Sequence, residues 1–420
     1  MNKINDHRIA RLICDIELPS PPQAEMRVLI QSRLPLLSIG ITAIIFDGAR
    51  VRIHGTGNDR LAGLVQDEVR RLTAIHRERK VRPITNHRGS GYRYEPDEVW
   101  SELLARREIL DEGDGYIAYS GRLLALIRGL DEWFRDLSLA YGASEFHFPS
   151  TISMASAHRS GYLARFPHQA WFCAHFTPDL TMLTAYSQAE AQAEAQAEAQ
   201  AEQDGHDHPP LGDHLAQPTR MANPLLCFHV YQAWAERSLD APLVAITTSG
   251  KCRRRETLRR DGLGRLSEFT MRELVYIGQG DLVAHGRDQI LAATTAIARE
   301  LDLGFTVEAA ADPFFRIEDA NLGMLQRMGG LKYELLAHLG SDHAPLAISS
   351  FNLHGETFIR RFRIGRGTPG LQTGCIGFGI ERWALACLCR HGLDWKQWPA
   401  FLRSRCPLAD VATVSTEFAS

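Results

Sequence analysis

The sequence predicts an α+β protein with a small α/β unit at its N-terminus. Three stretches carry that prediction. Residues 1 to about 95 alternate strand-like and helix-like patterns as β-α-β-β-α, which suggests a small sheet with helices on one side. Residues 251–278, KCRRRETLRRDGLGRLSEFTMRELVYIG, read as two extended segments joined by a charged, Gly-punctuated loop, an antiparallel hairpin. Near the C-terminus, TGCIGFGIERWALACLCRHG reads as a Gly-rich strand end that enters a helix.

Composition sets the bounds. At 420 residues, 45% hydrophobic and 23% charged, the chain has the make-up of an ordinary soluble protein of two or three domains. A formal charge of −3 assigns no partner to the chain as a whole. The longest apolar run, residues 36–46, is too short to span a membrane, and MNKINDHR lacks the apolar core of a secretory signal. Eight cysteines over this length form no disulfide framework, so a cytoplasmic location is expected, with thiols or metal ligands.

In the N-terminal unit, RIARLICDIEL reads as a strand and residues 23–34 as a helix. ITAIIFDG and ARVRIHG follow as a hairpin, then residues 59–79 as a second helix. Through residue 93 there is an excess of about seven Lys and Arg over Asp and Glu. Arg60, Arg70, Arg71, Arg77, Arg79 and Lys80 crowd the second helix and its end. They suit either a solvated face or the docking of an anionic partner, nucleic acid or acidic protein. Residues 85–96 read as a polar linker, and residues 96–420 as one further domain. There, residues 97–110 read as helix, DEGDGYIAYSG as a turn, 123–141 as a long amphipathic helix, and 145–148 as a strand that stops at Pro149. Most of the aromatics of residues 160–176 are expected in the core, with neither His168 nor His175 a ligand.

Residues 187–214 break the pattern. AEAQAEAQAEAQAEQ followed by DGHDHPPLGDH offers no apolar face beyond alanine and reads as a surface insertion. His206, His208 and His214 there suit a flexible polar tail better than a metal site. Beyond it come a helix (221–239), a strand (241–246), a helix (287–301) and a strand (305–309). Residues 346–364 read as a strand on which Ser350, Asn352 and His354 share a face, either the floor of a pocket or a solvent-facing surface.

The hairpin carries the chemistry. Arg254 and Glu256, two apart, share a face, and so do Phe269, Met271 and Glu273 on the return strand. A guanidinium, two carboxylates and an aromatic ring suit a nucleotide better than a core, because Arg clamps phosphate and Phe stacks on a base. This hairpin resembles motif 2 of the class II aminoacyl-tRNA synthetases, most closely the seryl branch. The helix, strand and proline of residues 123–149 resemble motif 1, which implies a homodimer. GFGIER resembles motif 3, whose arginine, here Arg382, contacts ATP phosphates.

From about residue 109 to 402, the insertion apart, the chain resembles the seryl-tRNA synthetase-like amino acid:[carrier protein] ligases. GASEFHFPS, SGYLARFPH, ADPFF, LKYE and ISSFNLH share in the likeness. The resemblance implies a class II synthetase-like antiparallel sheet flanked by helices. It implies activation of glycine or alanine by ATP with Mg2+, then transfer to the phosphopantetheine of a carrier protein. Arg254 and Arg382 would offset phosphate charge, Phe269 would stack on adenine, Glu256 would accept from its amino group, and Glu334 would bind magnesium or ATP. Ser350 and Asn352 would line the amino acid. A zinc ion held by Cys227, Glu273 and Cys375 is implied as well. Arg253 stands where the motif usually has Phe, and Ala347 where seryl synthetases carry a metal-binding glutamate, which points away from serylation. An archaeal-type seryl-tRNA synthetase charging tRNA and a non-catalytic synthetase-like regulator are the alternatives.

Overall fold

The computed structural model describes residues 11–22, 24–77, 83–199, 208–255, 262–312, 323, 326–340 and 343–406. The N-terminal unit has β1 (Arg11–Glu17), α1 (Ala24–Arg33), β2 (Ile41–Asp47), β3 (Arg50–Gly55) and α2 (Asp59–Arg77). Its sheet, in the order β1-β3-β2, is antiparallel throughout. Val51 and Ile53 alternate onto the buried face of β3. They meet Ile30 of α1 and Val65, Val69 and Leu72 of α2 in a core of their own. Gly55 is required where β3 passes Gly40, since a Cβ there would lie 1.8 Å from the Gly40 carbonyl oxygen. Two of the arginines of α2 are paired on the helix itself. Arg70 meets Asp67 at 3.2 Å, while Arg71 and Arg33 share Glu68.

The remaining elements form a second layer system. Thr85–His87, read from sequence as linker, is a strand (β4) on the edge of an eight-stranded sheet. Its backbone donors and acceptors find partners on Phe305–Val307, which outweighs its polar side chains. After α3 (Pro96–Ala105), Ile109–Gly113 and Tyr116–Tyr119 form a hairpin, β5 and β6, and not a helix end with a turn. Asp114 and Gly115, both at positive φ, make that reversal. Helix α4 (Gly121–Ala140) leads into β7 (Ser144–Glu145).

A small three-stranded sheet of β8 (Thr151–Ser153), β9 (Phe172–Cys173) and β10 (Arg220–Ala222) brackets α5 (Met154–Ser160), α6 (Tyr162–Arg165) and α7 (Leu180–Ala199). Helix α7 starts before the AEAQ repeat and runs through much of it. Tyr186 anchors its base against Phe176 and His214, with ring centroids 4.8 and 5.3 Å away. The rest of the repeat, from residue 200, lies outside the described residues. The expected helix 221–239 is shorter, α8 (Cys227–Ala233), because Arg220–Ala222 pairs as a strand.

Then come β11 (Leu243–Arg253), β12 (Glu268–Gln279), α9 (Gly280–Glu300), β13 (Phe305–Ala309), β14 (Lys332–Ala337) and β15 (Leu346–Gly355). The strand expected over residues 346–364 stops at Gly355, and Thr357–Phe362 is helical (α10). β16 (Leu371–Gly379), α11 (Ile380–His391) and α12 (Ala400–Arg405) are the last elements among the described residues. The large sheet runs β4-β13-β14-β15-β16-β12-β11-β7 and is antiparallel except for β11 with β7.

The helices α4, α9 and α11 cover its back. Phe134 stacks on Phe378 at 4.2 Å and Trp383 is fully buried. Arg272, 3% exposed, reaches back from β12 to Asp131 of α4 through two 2.8 Å hydrogen bonds. That fork fixes the helix to the hairpin. Among the described residues, no helix is long and apolar enough to cross a membrane.

Candidate active site and metal centre

Directly paired residues of an antiparallel sheet share a face. Glu273 pairs with Thr248 and Gly377, Gly377 with Ser350, Ser350 with Glu334, and Glu334 with Glu308. One residue row along, Lys332 pairs with Asn352 and Asn352 with Cys375. The sheet front is therefore a polar floor, and the sequence-predicted Glu273, Cys375, Ser350, Asn352 and Glu334 all stand on it. Gly377 keeps that floor open beside Glu273, since a Cβ there would meet the Met271 methyl at 2.7 Å and Ser350 Oγ at 3.3 Å.

Cys227 joins this face from above. Helix α8 begins at Cys227 because its free N-terminal amides are taken by Glu273: Leu226 N donates to Oε1 at 3.0 Å and Cys227 N to Oε2 at 2.7 Å. Cys375 Sγ donates to the same Oε2 at 3.5 Å. The ligand atoms of Cys227, Glu273 and Cys375 lie within 4.8 Å of one another, and all three residues are buried. Burial pushes the Glu273 carboxyl and the Cys227 thiol up. Its contact with Cys227, added to burial, holds the Cys375 thiol well above its ordinary value. Two soft thiols and an oriented carboxylate, all resisting ionisation together, fit a divalent cation that would compensate their charge. The set fits zinc, and it was not visible in local spacing because three separate elements supply it.

The nucleotide residues differ from expectation in detail. β11 ends at Arg253, so Arg254 lies past the strand, and Glu256 lies outside the described residues. The Arg254 guanidinium sits 5.2 Å over the Phe269 ring, and its Nε donates to the Pro224 carbonyl at 3.1 Å. Arg253, in the position where Phe was expected, pairs with Glu268 across the hairpin. Arg382 donates from Nε to Gly264 O and from Nη1 to Ala347 O, both at 2.9 Å.

Sequence reasoning missed three groups. Glu381, beside Arg382, is buried behind the hairpin, where both carboxylate oxygens accept from Thr270 N at 2.8 and 2.9 Å. Thr270 Oγ1 adds a bond at 2.8 Å and Tyr119 OH another at 3.2 Å. This carboxylate pins the first turn of α11 to β12 and so fixes the start of Arg382. Lys332 is the second, bridging Asp312 at 2.7 Å and Glu334 at 3.1 Å. The third, Asp312, also holds Gln326 at 3.0 Å, and despite burial the lysine beside it brings its carboxyl down to about 2. The period-two spacing of Lys332 and Glu334 was a legible signal for the pair; Asp312 comes from an irregular segment that carried none. Asn352 Nδ2 donates to Ser350 Oγ at 3.2 Å and to Cys375 O at 3.0 Å, tying the polar floor to Cys375.

Replacing Glu381 by Gln keeps the shape but weakens the bonds to Thr270 and removes the ion pair with Lys251, whose Nζ lies 3.5 Å from Oε1. We expect a loss of about 1–3 kcal/mol in denaturant unfolding. A change below about 0.5 kcal/mol would show that the carboxylate is not a structural pin.

No family model matches the chain. The sequence is 33% identical over 266 residues to amino acid–[acyl-carrier-protein] ligase 1 of Bradyrhizobium diazoefficiens, a span of 62% of this chain and 76% of that protein. It is 32% identical to ligase 2 of the same organism, over 74% of its length. Type-2 serine–tRNA ligase of Methanocaldococcus jannaschii is 27% identical, and the chain spans 56% of it. Among solved structures, M. kandleri seryl-tRNA synthetase in complex with A. aeolicus tRNASec superposes with a TM-score of 0.65 at 24% identity, covering 93% of this chain and 76% of that one. Cytoplasmic serine-tRNA ligase of Naegleria fowleri, in complex with AMP, gives 0.56 at 10% identity, covering 83% and 80%. At these identities the structural likeness speaks for the fold alone, which is that of a class II synthetase core. With the ligases matched over three quarters of their length, the chain belongs to the amino acid–[acyl-carrier-protein] ligase family.

Proposed function

We propose that this chain activates a small amino acid, glycine or alanine, with ATP and Mg2+ and transfers it to the phosphopantetheine thiol of a carrier protein. The observation that carries the reading is one sheet face that holds Glu273, Cys375, Ser350, Asn352 and Glu334 together, with Cys227 beside Glu273 and Phe269 four residues along the same strand under the Arg254 guanidinium. In the first step a carboxylate oxygen of the amino acid attacks the α-phosphorus of ATP, and pyrophosphate leaves. In the second, the thiolate attacks the acyl carbon of the adenylate, and AMP leaves.

The chain contributes position and charge. Arg254 and Arg382 offset charge developing on the phosphates, and Phe269 offers a stacking face for adenine, with Glu256 accepting from its amino group. Glu334, held by Lys332, faces the same floor and is the candidate for magnesium or ATP. Ser350 and Asn352 line the amino acid end. Cys227, Glu273 and Cys375 would hold zinc, which when bound would offer a position for a neutral α-amino group. The packing of Tyr231, Phe228 and Phe358 into the same cluster as the two cysteines supports a small side chain. We take residues 1–95, apart from β4, which joins the large sheet, as a separate unit and 96–420 as the catalytic one, paired as a C2 homodimer through residues 123–149 in the cytoplasm.

The decisive measurement is transfer of labelled glycine or alanine to a small carrier protein. Carrier bearing phosphopantetheine is expected to take label and unmodified carrier none, since the thiol is the nucleophile. The likeness to serine–tRNA ligases supports a second reading. Efficient charging of serine tRNA, with no transfer to any modified carrier, would replace the first reading by that one.

A further inference from the structure

Helix α10 has two unlike faces. Inward, Phe358 stacks on Tyr231 at 4.5 Å and 17°, and Tyr231 packs in the cluster that holds Cys227 and Cys375. Outward, α10 and the short 3-10 turn after it (Ile364–Gly367) join the ends of α5 and α8 in one arginine surface. Its members are Arg159, Arg237, Arg360, Arg361, Arg363 and Arg366. Their contacts show that they are neighbours. Glu236 pairs with Arg159 at 3.5 Å and with Arg363, and its carbonyl accepts from Arg366 Nε at 2.9 Å. Arg361 Nη1 donates to the Arg159 carbonyl at 3.3 Å, Arg360 Nε donates to Glu356 at 2.8 Å, and the Arg237 carbonyl accepts from Gly365 N at 2.7 Å. Six arginines less the carboxylates Glu236 and Glu356 leave +4 on this surface, in a chain whose total is −3.

The backbone beneath it is held in an uncommon form. Arg363 (φ 54°), Gly365 (76°), Arg366 (45°) and Gly367 (90°) all have positive φ within five residues. A plain turn would place Gly or Asn at the left-handed positions, yet two of them carry exposed arginines. Such a backbone persists only where its surroundings hold it, as the bonds from Gly365 N to Arg237 O and from Arg366 Nε to Glu236 O do here.

We propose that this arginine surface docks the acidic face of the carrier protein beside the pocket its thiol enters, an inference that rests on the carrier-protein reading above. Phe358 and Tyr231 link the inner face of α10 to the cluster that holds Cys227 and Cys375, so the arginine surface is the outer side of an element that packs against the candidate metal ligands. The partner is an acidic protein and not RNA. Among the described residues, no exposed large aromatic lies on this surface for base stacking, and carboxylates are interleaved with the arginines, as in a protein interface that must select its partner's charge pattern. The basic helix of the N-terminal unit is the weaker candidate, because Asp59, Asp67 and Glu68 offset three of the four arginines of α2 and leave it +1, against +4 on this surface.

The test uses the full chain with Arg360→Gln, Arg363→Gln and Arg366→Gln combined, and an acyl carrier protein loaded with phosphopantetheine. Glycine- or alanine-dependent ATP–pyrophosphate exchange and aminoacyl transfer to free pantetheine are expected to match the wild type, which also shows that the variant is folded. KM for the loaded carrier is expected to rise about tenfold, with a flatter dependence on salt between about 50 and 300 mM. The triple Arg→Lys variant is expected to recover most of the loss, since it keeps the charge. An unchanged carrier KM and salt dependence in the Gln variant, with the wild type active on carrier, overturns the docking surface alone. A wild type that transfers to pantetheine and to no loaded carrier overturns the carrier-protein reading and the docking surface with it. Loss of serine-tRNA binding by the Gln variant, with carrier KM unaltered, gives the surface to RNA and overturns the proposal.

Discussion

Cys375→Ala is expected to abolish zinc binding and amino acid activation together. Wild-type protein should carry about one zinc per chain, and the variant well below that after dialysis against a weak chelator. Exchange of pyrophosphate into ATP should fall by at least about 100-fold, because loss of a direct ligand exceeds the effect of losing a supporting bond. Glu273 shows why a partial site would not suffice: it already accepts from two backbone amides as well as from Cys375, so it cannot swing to take the missing thiolate's place. Cys389→Ala is the control. That thiol is also buried, in the core behind the sheet, and its loss should leave both zinc and exchange intact. Metal analysis that finds zinc retained in the Cys375 variant would remove this residue from the site.

The second large effect is expected at Arg382. Its removal to Ala should lower the rate of adenylate formation by about 10²–10³, the usual loss when a fixed charge aimed at a developing anion is deleted. Two hydrogen bonds to the carbonyls of Gly264 and Ala347 hold the guanidinium, so some stability will be lost as well. Arg382→Lys separates the two roles. It keeps a positive charge but loses the planar fork, so activity should stay low while thermal stability moves toward wild type. An Ala variant that keeps exchange within about threefold of wild type would show that Arg382 does not act on the phosphates.

Much of this was legible without coordinates, for identifiable reasons. The hairpin of β11 and β12 announced itself by alternation around a Gly-containing loop, and Glu273 and Phe269 stand on one face as a period of two requires. The Gly-rich strand into α11, and Arg382 in its first turn, followed from local sequence as well. The breakdowns occurred where local signals compete with partners distant in sequence. Thr85–His87 is polar and reads as linker, yet it pairs with a strand more than 200 residues away, because an unpaired sheet edge favours any backbone that can complete it. Ile109 and Leu110 extend a helical pattern, but the reversal at Asp114 and Gly115 makes them a hairpin.

By itself, then, the sequence determined the element types of the two motif regions, the family resemblance and the residue types able to bind a nucleotide and a metal. Only the tertiary structure decided which of them meet. Cys227, Glu273 and Cys375 come from a helix start and two strands, and their convergence depends on a sheet register that no local spacing encodes. The same holds for Glu381 on Thr270 and for Lys332 between Asp312 and Glu334. It holds too for the arginine surface of α5, α8 and α10, where charges scattered over 208 positions, from residue 159 to residue 366, become neighbours by packing. Charge and chemistry are properties of residues, whereas a site is a property of distances, and distances between remote segments are set by the core that packs them.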